Sequence, residues 1–157
     1  MSQIESSYRR DANGVPITTH GITVSKLMTL AGGTANDPGD YDGTGNPATL
    51  FTVTGDVLVQ VFAVCSVNLT GANATIEVGI AANTAALIAQ STATDIDAGH
   101  VWIDATPATV QALPPVQVLT NSTNIIQTVA TANITAGTLT YYCIWTPLSG
   151  NGNVVAA

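Results

Sequence analysis

The stretch Val57–Thr70, VLVQVFAVCSVNLT, carries the strongest strand signal in the chain. Val57, Val59, Val61, Ala63, Cys65, Val67 and Leu69 recur at the two-residue period that places side chains on one face of a strand. Leu58, Phe62 and Val64 make the opposite face apolar too, the pattern of a central strand covered on both sides. The apolar run within it, Val57 to Val67, is interrupted by Gln60 and is too short to cross a bilayer as a helix.

Outward from this strand the same signal repeats in weaker form. Gly55-Asp56 before it reads as a hairpin turn joining it to a short strand at Thr49–Val53. After it, Gly71-Ala72-Asn73 turns the chain into Ala74–Ile80, its expected partner. Further strands are expected at Ala85–Gln90, Val101–Ile103, Val116–Leu119 and Ile125–Thr131, with a last half-buried one through Leu139, Tyr141, Cys143 and Trp145. About eight short strands at this spacing predict an all-β domain, an antiparallel β-sandwich or jelly roll. Residues 1–28 read as an extended N-terminal arm leading into a first strand, and residues 29–157 as a single domain. Ala31 to Pro47, rich in Gly, Pro and Asp, reads as a long surface loop.

Charge narrows the function. Charged residues are 8% of the chain, against about 25% in average soluble proteins, so much of the surface is expected to be covered by something else. The three basic residues, Arg9, Arg10 and Lys26, all precede residue 27, and eight carboxylates follow residue 31. Such a body repels phosphate and anionic lipid, which argues against nucleic acid and membrane partners. The N-terminus has no hydrophobic segment behind its basic pair and does not read as a secretory signal. Edge strands are commonly guarded by Lys, and with none after Lys26 the edges are expected to be closed, bulged or capped by neighbouring chains. Arg9, Arg10 and Lys26 are therefore the candidate partner-binding residues, on an arm that reaches a neighbour.

Catalytic chemistry has little to stand on. His20 and His100 are the only histidines, and no nucleophile elbow, P-loop, HExxH or CxxC pattern is present. Asp95 and Asp97 have strand spacing, and Asp104 follows His100 by four, but nothing marks a pocket; no enzyme is expected. Asp37, Asp40 and Asp42 form a candidate Ca²⁺ site on the Gly-rich loop, without the Glu that an EF-hand requires. Trp102, Trp145, Tyr141 and Tyr142 could stack on a sugar, though strand aromatics more often fill a core or an interface. Cys65 and Cys143 read either as buried free thiols or as one bridge.

Arg10-Asp11-Ala12-Asn13-Gly14-Val15-Pro16 resembles RDxNxVP, an opening common in small structural proteins of tailed bacteriophages. Residues Ala81 to Ala108 and Ala132 to Val154 resemble a family of phage virion proteins, in similar order across nearly the whole chain. Gly99-His100 departs from the resemblance, standing where a polar or acidic residue is expected. The resemblance brings no catalytic residues with it. It implies a virion setting: a capsid decoration (cement) protein, made in the bacterial cytoplasm and placed on the outer surface of the capsid. Its partners would be copies of itself, as in a trimer, and the major capsid protein, whose adjacent subunits it would bridge. A tail or head-fibre component that binds a host receptor or glycan is the alternative.

Overall fold

The computed structural model describes residues 9–10, 16–17 and 21–157, the first two pairs as backbone only. Its strands are β1 (Arg9–Arg10), β2 (Pro16–Ile17), β3 (Ile22–Thr29), β4 (Ala48–Thr54), β5 (Val57–Thr70) and β6 (Thr75–Ile80). They continue as β7 (Asn83–Thr92), β8 (Val101–Trp102), β9 (Gln117–Leu119), β10 (Ile125–Ala130), β11 (Ala136–Pro147) and β12 (Asn153–Ala156). β1 pairs with β2. The other strands form two antiparallel sheets, one in the order β12-β4-β10-β6-β7, the other β3-β11-β5-β8 with β9 also on β5. The protein is an all-β sandwich, as its strand periodicity predicts.

β5 is central, between β11 on one edge and β8 and β9 on the other. Its sequence neighbours, however, are not its partners. β4 and β6 both lie in the opposite sheet, so Gly55-Asp56 and Gly71-Asn73 are corners between layers and not hairpin turns. The reason is local and tertiary at once. Gly55 sits at φ +66, and the corner is held from outside by Ser122 Oγ, which accepts the Gly55 N–H, and Ser149 Oγ, which accepts that of Asp56. A two-residue turn between strand-like runs reads the same in sequence whether the chain folds back in plane or steps across the core.

Between the sheets lie Val57, Val59, Val61, Ala63 and Cys65 from β5 and Leu139, Tyr141, Cys143 and Trp145 from β11. They face Phe51, Val53, Ile76, Val78, Ile88, Ile125 and Val129 of the other sheet. Each large side chain buried here stabilises the fold by about 1.5–3 kcal/mol, so this layer dominates stability. Hydrogen bonds lace both open sides of the sandwich. On one, Trp102 Nε1 donates to Ser91 Oγ at 2.7 Å, and Gln117 Nε2 to the Ala86 carbonyl at 3.1 Å. On the other, Lys26 Nζ donates to the backbone oxygens of Thr49 and Ala157, both at 2.8 Å.

That second lacing moves the domain boundary. β3 pairs along its whole length with β11, from Ile22 opposite Trp145 to Thr29 opposite Thr138, so a division at residue 28 cuts through an integral strand. Lys26 belongs to the body. It lies on the inward face of an edge strand, where an inward charge discourages strand addition.

The segment between β3 and β4 is a fastened cap, with Gly39 and Asp40 buried. Gly32 N–H donates to the Ile134 carbonyl at 2.7 Å, and Ile134 N–H to the Gly39 carbonyl at 2.8 Å. Asn46 accepts the Val129 N–H at 2.9 Å and donates to its carbonyl at 2.7 Å, so its amide stands in for a strand partner at the end of β10. Beneath the cap, Gln127 is fully buried; its Nε2 donates to the Pro38 carbonyl at 2.8 Å, and its Oε1 accepts the Tyr141 hydroxyl at 2.6 Å. One amide thus joins the cap and both sheets.

Removing either end of this chain strands a buried polar group, which costs about 1–3 kcal/mol per group. Gln127→Leu, which orphans both the Tyr141 hydroxyl and the Pro38 carbonyl, is expected to destabilise more than Tyr141→Phe. Urea unfolding of the two variants reads this directly; equal and negligible shifts would show that the amide holds nothing together.

Candidate functional site

The acidic loop was the first candidate. Within the cap, Asp37 accepts the Thr34 hydroxyl at 2.7 Å, Asp40 is 5% exposed and Asp42 is exposed. Among the described residues no group of three His, Cys, Asp or Glu side chains is placed to hold a metal ion. Asp37, Asp40 and Asp42, expected as Ca²⁺ ligands, do not form such a group. The turns that fasten the cap give each carboxylate its own surroundings and no shared centre.

The other polar candidates are turn pieces. His100 Nδ1 lies 3.3 Å from the Asp97 amide nitrogen and 3.2 Å from the Asp95 carbonyl oxygen, bracing the turn before β8. Asp104 Oδ1 accepts both the amide and the hydroxyl of Thr106, at 2.7 and 2.8 Å. Asp95 and Asp97 are exposed and flank the same turn. His20 lies outside the described residues, as do the side chains of Arg9 and Arg10.

The four aromatics do not form a stacking platform. Trp102 and Tyr141 are fully buried and meet edge-to-face at 6.4 Å, and Trp145 is 4% exposed. Tyr142 alone faces outward, and it stacks on Phe62 of β5 with ring centroids 5.2 Å apart. That pair marks the surface which the sequence reading missed.

The outer face of the β3-β11-β5-β8 sheet follows from register. Tyr142 stands beside Ser25 on one side and Phe62 on the other. One row along, Thr140 lies between Leu27 and Val64, with Val101 beyond. On the other side of the aromatic row come Thr23, Ile144 and Gln60, then Thr146, Leu58 and Val118. None of these residues is Asp, Glu, Lys, Arg or His. Leu27 is 65% exposed and Val118 59%; Leu58, Phe62, Val64, Tyr142 and Ile144 are half-buried, and Gln60 Nε2 donates to the Pro114 carbonyl at 2.6 Å. So β5 has one fully buried face and one half-buried face, where its pattern predicts two covered ones. The signal was in the sequence, in Leu58, Phe62 and Val64.

No family model matches this chain, and neither does any curated protein or solved structure.

Cys65 and Cys143 are both buried and free. Cys143 lies opposite Val61 while Cys65 lies opposite Leu139, which puts the two about 13 Å apart along neighbouring strands, well beyond bridging distance. Burial pushes the Cys143 thiol up to about 12, and raises Cys65 and Tyr141 as well. Unfolded thiols ionise near 9, whereas the folded Cys143 keeps its proton until about 12. The unfolded state therefore sheds protons first, and stability falls as pH rises through that window, by about 1.4 kcal/mol per pH unit for each such group. Thermal melts between pH 8 and pH 11 are expected to show this decline, and Cys143→Val is expected to make it shallower. Reducing agent should leave the midpoint unchanged; a fall of many degrees would mean that a bridge exists after all.

Proposed function

We propose that this protein is a non-enzymatic structural subunit of a tailed-phage virion. In this reading it decorates the capsid surface and bridges adjacent capsid subunits by non-covalent contacts. The placement of charge supports the reading most directly. From residue 21 onward Lys26 is the only basic residue, and both of its hydrogen bonds are internal, to Thr49 and Ala157. The body thus presents carboxylates and a neutral sheet face to its surroundings. Arg9 and Arg10 are the cations left for charge-assisted contacts with a neighbour, worth roughly twice a neutral hydrogen bond. The likeness of residues 81–108 and 132–154 to phage virion proteins adds the setting.

Mechanically, the laced sandwich is a rigid block and the leader a fastener. Once the block has docked, an arm gripping the adjacent subunit adds avidity without any new surface on the body. Nothing in this role calls for a pocket or a cofactor.

Gold-labelled protein viewed on intact virions tests the position. Label spread over the capsid lattice supports decoration, and label confined to the tail tip or fibres replaces it with receptor binding. Deleting residues 1–14 is expected to leave the circular dichroism of the body unchanged and to lower occupancy on sedimented particles. Native trypsin is expected to cut after Arg9 and Arg10 in free protein and to spare both sites once the protein is docked. Cleavage after Lys26 should be slow in either state, because it requires opening the β3–β11 ladder. Full occupancy after the deletion would remove the arm from the mechanism.

A further inference from the structure

We infer that the outer face of the β3-β11-β5-β8 sheet is a two-fold docking surface, and that its occupant is the same face of a second copy of this chain. The inference deepens the structural-subunit reading and rests on it for its biological setting only.

β5 carries the pattern of a strand covered on both sides. Val57, Val59, Val61 and Ala63 are buried in the sandwich, whereas Leu58, Phe62 and Val64 on the other face are half-buried, with Gln60 between them donating to the Pro114 carbonyl at 2.6 Å. A strand that is apolar on both faces belongs in a sheet covered on both faces. Leu27, 65% exposed, and Val118, 59% exposed, leave this face open to a further layer.

Charge decides what that layer is. The face has no Asp, Glu, Lys, Arg or His in a protein whose described carboxylates sit on the connections around it or, as Glu77, on the opposite sheet. A basic partner would find its counter-charges only at the rim, and each cation pressed onto the face would be buried unpaired at a cost of several kcal/mol. The layer that fits is flat, neutral, apolar and edged with hydroxyls. Such a surface is on the page: this face itself. A two-fold axis through the Phe62–Tyr142 row would set each aromatic pair against the partner's, the self-complementary arrangement of an isologous dimer. Sheet-on-sheet packing of this kind already holds the two sheets together within one copy.

The area is of the right order. Three strands about 4.8 Å apart over eight paired positions about 3.4 Å apart, with five further positions on β8 and β9, make a face of about 470 Å² per copy. Two such faces come close to the threshold of about 1,000 Å² for a specific interface. Exposed Val116, just before β9, adds apolar surface at that edge. Because each chain carries a net charge of −7, two copies repel at long range and attract only through the neutral face. Added salt screens that repulsion, so it is expected to tighten the pair.

Sedimentation equilibrium of the full chain tests this without any virion. A dimer is expected, with a dissociation constant no weaker than roughly 100 µM and lowered by added salt. Leu27→Glu and Tyr142→Glu each bury a charge in the pair and are expected to weaken it at least roughly a hundredfold. Leu27 is 65% exposed, so Leu27→Glu leaves the fold intact, which circular dichroism and the melting point check. Val155→Glu, on β12 of the other sheet and 46% exposed, should pair as the unmodified chain does. A chain that stays monomeric at these concentrations would overturn the inference. So would an oligomer that survives both face variants, or one that Val155→Glu disrupts equally. A monomer that still decorates virions would sink this inference and leave the structural-subunit reading standing. A dimer absent from virions would do the reverse.

Discussion

The ladder between β5 and β11 is the contact on which the rest of the molecule depends. It runs from Val57 opposite Pro147 to Thr70 opposite Ala136, pairing segments far apart in sequence. Its inward side chains supply a large share of one sheet's core contribution, and its outward side chains form the centre of the neutral face. Among the described residues β3 pairs within its sheet only with β11, and β8 and β9 only with β5, so the sheet is framed on that ladder. Closing so long a loop is entropically costly before any contact forms, and the apolar layer on the inward side is what offsets it.

Around that frame, polar groups decide geometry more than they add stability. The Gln127 amide, the Ser91–Trp102 bond and the Lys26 ammonium each satisfy buried or half-buried groups at places where the two sheets meet. The apolar layer by itself would tolerate sliding of one sheet on the other. A buried amide that must meet both Tyr141 and Pro38 does not. The same reasoning explains the cap between β3 and β4, whose backbone is tied to Asn133 and Ile134 and whose Asn46 side chain is tied to Val129, so that it covers one end of the core. The acidic residues there are side chains of a fastened structure.

Two features of the surface bear on how such a protein works. Lys26, which in a list of charges looks like the end of a basic arm, is the inward guard of an edge strand. The apolar residues on the second face of β5, which look like core, are only half-buried within the described chain. Both point to a body whose outward surfaces are neutral or acidic.

Much of this was legible in the residues alone. The two-residue period at Val57–Thr70, the scarcity of charge and the spacing of turn residues determine an all-β sandwich and a centrally placed β5, because burial on a strand leaves a mark at every second position. What they cannot carry is which strands pair. Gly55-Asp56 and Gly71-Asn73 have the composition of hairpin turns, but β4 and β6 step into the other sheet, a choice made by contacts with Ser122, Ser149 and the core. The candidate sites divided the same way. Asp37, Asp40 and Asp42 are close in sequence, yet whether three carboxylates converge depends on how the cap is tied, and the ties run to β10 and the segment after it. Tyr142 and Tyr141 are adjacent and chemically alike; the pleat of β11 alone sends one into the core and the other to the surface. Side-chain alternation is a local property and is written in the sequence, whereas pairing, convergence and cover arise between segments distant in the chain, and only the tertiary structure decides them.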